Sequence, residues 1–250
     1  MELADLSTQA LLLALAFFTV SVLYASVGHA GATGYIAAMA LAGMAPSLMK
    51  PTALTLNLVV ASIATYKFYK RGMFSWAIFL PLAIASIPCA YLGGKIVLPP
   101  EYYRPIVGVV LLYAAWHAFK KNSETGTPVF KEVSKPVLLL VGAILGFLSG
   151  LTGVGGGVFL SPMMLVLGWA PIKVISGVAA AFILVNSTAG MAGLLSTSPV
   201  FLPELYLWAG AVLIGGWIGS ELGSRRLNNN TILKLLGFTI LIAGIKLISI

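Results

Sequence analysis

Hydrophobic and polar positions divide the chain into ten apolar runs bounded by charges, prolines or glycines. They cover roughly 8–27, 32–45, 51–67, 74–98, 104–119, 136–151, 157–168, 172–195, 203–224 and 231–249. A run without strict alternation predicts a helix, which satisfies its own backbone in lipid, whereas a barrel strand alternates over about 10 residues. Segments two and seven fall well short of the about 20 residues that span the hydrocarbon layer, so they are expected to be tilted, re-entrant or half-helical. The remaining eight are long enough to cross. The expected fold class is an all-α integral membrane protein.

What cuts the runs is a glycine-rich stretch that occurs twice. The first copy reads Tyr24-Ala25-Ser26-Val27-Gly28-His29-Ala30-Gly31-Ala32-Thr33-Gly34, and the second Ser149-Gly150-Leu151-Thr152-Gly153-Val154-Gly155-Gly156-Gly157. Each copy is followed by a segment ending in Gly-x-Ala-Pro, at Gly43-Met44-Ala45-Pro46 and Gly168-Trp169-Ala170-Pro171. A shift of 125 residues superposes Gly28 on Gly153, Gly31 on Gly156, Met39 on Met164 and the two Pro ends, with no gap. Further along, Gly93 meets Gly219 at an offset of 126, as loops of unequal length would produce.

A polar stretch at 120–135 separates five segments from five. The expected organisation is a first inverted repeat over 1–119, a cytoplasmic linker over 120–135 and a second inverted repeat over 136–250. Loop charges support the inversion. If the loops alternate as for ten crossings, one side carries Lys67, Lys70, Arg71, Lys120, Lys121, Lys131, Lys135, Lys173, Arg225 and Arg226. The other carries Lys50, Lys95 and Arg104. The excess belongs in the cytoplasm. That places both termini outside, and five reversals per half orient the halves oppositely, so that two broken helices converge near the midplane. The acidic start, Met1-Glu2-Leu3-Ala4-Asp5, predicts that the first run is retained as a membrane segment rather than cleaved.

Composition agrees with this pattern. The chain is 59% hydrophobic and only 9% charged, with a mean hydropathy of +1.00. Soluble domains carry about 25% charged residues. The net charge of +8 sits in short loops as an orientation signal, which excludes nucleic acid as a partner and leaves the bilayer. The single cysteine, Cys89, allows no internal disulfide and reads as a small packed side chain.

A helix that begins inside the bilayer presents unpaired N–H groups and about half a positive charge, and so attracts anions. The candidate binding residues are therefore Gly28, Gly31, Gly153, Gly155, Gly156 and Gly157 at the turns, with hydroxyls from Ser26, Thr33 and Thr152. His29 is the one titratable side chain of the first break. Its counterpart is Val154, and both ligand binding or gating and a structural hydrogen bond are open to it. Apart from His29, no ionisable residue falls in or beside the two breaks. Asn57 and Asn186 lie in apolar helices after the breaks, where an amide must find partners in a cavity or across helices. Thr55, Ser187 and Thr188 are secondary candidates. Scattered pairs such as Gly93-Gly94 and Gly215-Gly216 read as packing devices. Glu221 and Arg225 read as an interfacial ion pair.

No zinc-hydrolase, cysteine-cluster, nucleophile-elbow or phosphate-loop pattern occurs, and no inward pair of carboxylates. The sequence predicts no enzyme, no cofactor and no metal site. The readings that remain are a transporter, a non-transporting membrane scaffold or receptor subunit, and a cation or metal carrier. The lack of membrane-embedded Asp or Glu argues against the last. Assembly into an oligomer is compatible with the sequence and not specified by it.

The stretch from Gly146 to Pro162, its weaker echo in the first half and the Gly-x-Ala-Pro ends resemble the TauE/SafE family of sulfite exporter-like membrane permeases. The resemblance covers nearly the whole chain, and it implies transport of sulfite, thiosulfate, sulfoacetate or a related sulfur-containing anion across the cell membrane. The first half departs from the glycine pattern at His29 and Ala30, and there is no array of paired cysteines of the kind a thiosulfate-uptake branch would carry. An inside-negative potential drives anions outward by about 2.3 kcal/mol per charge per 100 mV, so export needs no coupling ion. The expectation is alternating access, with the two inverted halves rocking about a midplane site.

Overall fold

The computed structural model describes residues 2–119 and 132–223, together with 241 and 245. The described residues form nine helices and no strands: α1 (Glu2–Ser26), α2 (Ala32–Leu41), α3 (Pro46–Lys70), α4 (Trp76–Lys95), α5 (Pro100–Phe119), α6 (Lys135–Thr152), α7 (Gly157–Val166), α8 (Ile172–Leu195) and α9 (Leu205–Gly223). The tenth expected segment, residues 120–131 of the linker and Arg225 lie outside the described residues. Six of the helices, α1, α3, α4, α6, α8 and α9, are long and apolar enough to cross a membrane. The protein is a multi-pass membrane protein.

The short segments two and seven are the ten-residue helices α2 and α7. Each starts after a glycine with positive φ, Gly31 at 105° and Gly156 at 77°. An L side chain is strained there, so glycine is what lets the chain leave α1 or α6 and restart as a separate helix. Helix α3 departs from the expectation: it begins at Pro46, not at 51, with Pro46 in its first turn and Pro51 inside it. Lys50 is therefore a helical residue, 6% exposed, rather than a loop charge.

Helices approach closely where side chains are absent. Gly142, Gly146 and Gly150 on α6, one turn apart, lie against the backbone of Leu82, Ser86 and Ala90 on α4. Gly215, Gly219 and Gly223 on α9 lie in the same way against Phe18, Val22 and Ser26 on α1. In lipid, where apolar side chains gain nothing by leaving the solvent, such backbone approach and the dispersion it brings hold helices together. The Trp208 indole adds a bond from α9 to the Ala10 carbonyl on α1, at 3.0 Å.

Two apolar cores result, and neither follows the halves of the sequence. One collects Phe17, Tyr35, Ile36, Leu56, Val107, Leu111 and Trp208, from α1, α2, α3, α5 and α9. The other collects Leu82, Leu145, Leu160, Met164, Val178 and Phe182, from α4, α6, α7 and α8. Helix α4 packs with the second half and α9 with the first, while α3 and α8 run against each other between the cores.

At the C-terminal end of α3, Glu221 of α9 accepts from Lys67 at 3.1 Å and from Arg71 at 2.9 Å. The Lys67 ammonium also donates to the Trp217 carbonyl at 2.9 Å and lies 4.0 Å from the centre of its ring. The pair expected between Glu221 and Arg225 lies outside the described residues, and what they contain is a bridge between two elements.

Candidate functional site

The two breaks meet. Residues 27–31 join α1 to α2 and residues 153–156 join α6 to α7, and His29 spans the gap between them. Its Nε2 lies 3.2 Å from the carbonyl oxygen of Gly157, the first residue of α7, and its Nδ1 lies 3.2 Å from the carbonyl of Val27. A neutral imidazole has one N–H to donate; an imidazolium has two and would serve both carbonyls. The ring is half-buried and sits edge-on to Tyr24, with centroids 6.4 Å apart.

The second break is enclosed by α3 and α8. Asn57 of α3 is fully buried and its Nδ2 reaches Ser187 Oγ of α8 at 3.3 Å, with a longer contact of 3.5 Å to the Val154 carbonyl. A Cβ built on Gly155, whose φ is 86°, would lie 2.8 Å from both Asn57 Nδ2 and Ile183. Gly155 is therefore glycine for two independent reasons. Gly156 lies under Phe182 and near Ser149, and Gly157 under Ile183.

Polar atoms without partners gather in this neighbourhood. Asn57 Oδ1, Ser149 Oγ and both amide atoms of Asn186 are buried and have no hydrogen-bond partner among the described residues. Asn186 sits beside Ser187 and one turn beyond Ile183, both of which line the break. Most buried polar atoms in proteins are paired, and leaving one unpaired costs about 1–3 kcal/mol. Asn57 and Ser149 are residues that a Cβ at Gly155 or Gly156 would meet, so unpaired polar atoms lie beside the turn before α7, whose first main-chain N–H groups also lack helical partners.

Other expected residues have structural work. Ser26 donates to the Leu23 carbonyl at 2.6 Å, and its backbone packs on Gly223. Thr33 donates to the Tyr24 hydroxyl at 2.8 Å. Thr152 donates to the Leu148 carbonyl at 2.7 Å and accepts from the Val154 N–H at 3.3 Å, tying off the end of α6. Gly28, with φ of 78°, sits against Ser176 of α8, where a Cβ would come within 2.5 Å. Gly31 caps α2 and faces the Tyr35 ring, and Gly153 caps α6 with φ of 80°. Ser187, a secondary candidate, meets Asn57 at the break, and Ser149, not among the candidates, lies near Gly156. No periodicity signals Ser149, which reads as part of the glycine stretch.

One expectation is overturned. An ionisable residue does stand beside the second break: the stem of Lys50 packs on Gly153, whose Cβ would lie 3.2 Å from Lys50 Cγ. The Lys50 ammonium donates to the carbonyls of Gly93 at 3.3 Å, Gly94 at 3.1 Å and Ile96 at 3.0 Å, at the C-terminal end of α4. Tyr103 of α5 donates to the Thr152 carbonyl at 3.1 Å. The sequence signal was the Lys50-Pro51 dipeptide, which reads as a boundary when the proline lies in fact one turn inside a helix. Among the described residues, no group of three or more His, Cys, Asp or Glu is placed to hold a metal ion.

Comparison with known proteins gives one family match, to the model described as Sulfite exporter TauE/SafE, over residues 13–247. The chain is 41% identical to "Probable membrane transporter protein y4hK" of Sinorhizobium fredii, over 97% of this chain and 100% of that protein. It is 25% identical to "Probable membrane transporter protein YjnA" of Bacillus subtilis, over 92% and 96% of the two chains. It is 28% identical to YunE of the same organism, also named a probable membrane transporter protein, over 51% of this chain and 46% of that one. No solved structure matches the chain.

Proposed function

The chain belongs to the Sulfite exporter TauE/SafE family and is a membrane transporter; from that premise we propose that it exports a small sulfur-containing oxyanion, sulfite or an organosulfonate such as sulfoacetate. The observation that carries this reading is the pair of buried, unpartnered donors Ser149 Oγ and Asn186 Nδ2, while the unpartnered oxygens of Asn57 and Asn186 can accept only from a protonated form of the anion such as hydrogensulfite. An oxyanion offers acceptors to the α7 amides, to Asn186 Nδ2 and to the Ser149 hydroxyl, and it binds without a neutralising cation in direct contact. Such a site releases as readily as it binds, which suits transport.

Helix packing supports the inverted repeats. Exchanging α1–α4 with α6–α9 turns the α4·α6 contact into α9·α1 and α3·α9 into α8·α4, and leaves α3·α8 unchanged. A two-fold relation requires this reciprocity. The charge asymmetry of the loops supports a plasma-membrane orientation with the linker at 120–135 in the cytoplasm and both termini outside.

The moving bodies are then the two apolar cores rather than the two halves of the sequence. The site lies where the cores meet: His29 joins α1 to α2 and Asn57 is on α3, beside the first core, Ser149 and Gly157 are on α6 and α7 of the second, and α8, which carries Ser187, contributes to both. Sliding along the α3·α8 seam would separate His29 from the Gly157 carbonyl and open the break. A proton carried on His29 would couple to that step, while the membrane potential alone suffices for a dianion. A non-transporting scaffold is disfavoured because packing accounts for the α6 and α9 glycines but leaves the buried amides of the break unexplained.

The experiment is flux in proteoliposomes with a set potential. An inside-negative potential is expected to drive sulfite or a short organosulfonate out. Absence of flux for every member of such a panel would sink the proposal.

A further inference from the structure

A cavity of about 540 Å³ opens at one end of the bundle, among the first turn of α3, the α4–α5 connection, the start of α5 and the residues after α8. Its wall is mostly apolar and stiffened by proline, including Pro46, Pro51, Pro99 and Pro100, and it contains no Asp or Glu. Lys50 is the one cation in the lining, and Tyr103 joins it. These two residues also hold the second break: Lys50 packs on Gly153 and Tyr103 bonds to the Thr152 carbonyl. The cavity thus ends against the α6–α7 turn.

Lys50 has no carboxylate partner among the described residues; its donors go to three carbonyls. Carbonyl dipoles hold an ammonium in place but leave its unit charge intact. In an apolar, concave wall that charge is screened less than on an open surface, and its field is focused into the cavity. The volume equals about eighteen water-sized volumes, so an anion enters with part of its hydration shell. The place suits capture and discrimination by charge rather than tight recognition.

We propose that this cavity is an anion vestibule, a second station for the small oxyanion on its path to or from the break, and that Lys50 is the residue that sets its preference for negative charge. This rests on the reading of the break as an anion site. The vestibule lies at the N-terminal end of α3, about 37 Å along a 25-residue helix from the Lys67–Arg71 end. In the proposed orientation it faces outward, where the charge eases passage of the anion through the outer half of the path.

The test reads charge preference without depending on transport. Ser47 is an exposed lining residue one turn before Lys50, and Cys89 is the only native cysteine. In a Cys89→Ala, Ser47→Cys protein, the modification rates by an anionic and a cationic methanethiosulfonate are measured by mass spectrometry, each normalised to a free thiol. Their ratio is expected to favour the anionic reagent by about fivefold at low salt. Lys50→Gln should bring the ratio close to one, and Lys50→Arg should keep it. A ratio unchanged in a folded Lys50→Gln protein overturns the proposal.

If Lys50→Gln does not fold, salt decides on the parent protein, because an attraction due to Lys50 must fall as ionic strength rises. A ratio insensitive to salt then overturns the proposal. The two readings fail separately. No flux in the unaltered protein removes the transport reading, whereas flux together with an unchanged reagent ratio removes the vestibule alone.

Discussion

His29 Nε2 stands 3.2 Å from the carbonyl oxygen of Gly157, so the imidazole of one break closes on the first residue of the helix that leaves the other. Replacing the ring by phenylalanine keeps its bulk and removes both nitrogens. A net hydrogen bond is worth about 1 kcal/mol, and His29→Phe is expected to change the initial flux in proteoliposomes about fivefold to tenfold. His29→Gln, which keeps one polar contact, should lie between the two. A phenylalanine variant with wild-type flux would take His29 out of the path.

Gly155 and Gly72 both have positive φ, 86° and 71°, but only Gly155 is crowded. An alanine at either position carries the backbone cost of about 1–2 kcal/mol. At Gly155 the methyl also meets Asn57 and Ile183, adding about 1–3 kcal/mol of overpacking. Gly155→Ala is therefore expected to lower the melting temperature more than Gly72→Ala and to abolish flux, while Gly72→Ala transports normally. Equal effects on both measurements would contradict the placement of Gly155 at the site.

Asn186 is buried with both amide atoms unpartnered, so leucine should suit the folded protein better. Asn186→Leu is expected to raise stability by about 1 kcal/mol, since an apolar group of similar size removes an unsatisfied amide. It should also remove the rise in melting temperature that the transported anion gives the unaltered protein, because a ligand that binds only the folded state stabilises it. Thermal unfolding in detergent with and without the anion reads both. Retention of the anion-dependent rise would place Asn186 away from the ligand.

Glu221 joins α9 to α3 through Lys67 and Arg71, and its side chain is 36% exposed. With that solvent access Glu221→Gln should cost about 1 kcal/mol or less. The double variant Glu221→Gln, Lys67→Met removes the charge that the single variant leaves behind, and it should recover part of the loss. A loss in the double variant equal to the sum of the two single losses would show that the Trp217 contacts of Lys67, not the ion pair, hold this corner.

Much of the helical framework was legible because long apolar runs admit few structures in lipid, and both short helices followed from glycine and length. The start of α3 was misplaced because proline is a boundary signal only in isolation. Pro51 follows a helical turn that begins at Pro46, and that turn carries Lys50 from an assumed loop into the protein. The site was half legible. Glycine spacing marked the turns, and an amide in an apolar helix marked Asn57 and Asn186. The pairing of His29 with Gly157 was not legible, since it depends on how two segments 128 residues apart are brought together. The partners of the hydroxyls were not legible for a related reason: those of Ser26 and Thr152 donate within their own helix, while Ser187 accepts from Asn57 across α3 and α8.

The crossing of α4 and α9 into the opposite cores fixes an order of assembly. Synthesis delivers the N-terminal helices first. Until α6 emerges, α4 lacks the glycine face on which Leu82, Ser86 and Ala90 rest, and α1 waits for α9 almost to the end of the chain. The first 119 residues made alone would hold α1 and α4 without their partners. The helices before the linker and those after it therefore bury these glycine faces only against each other.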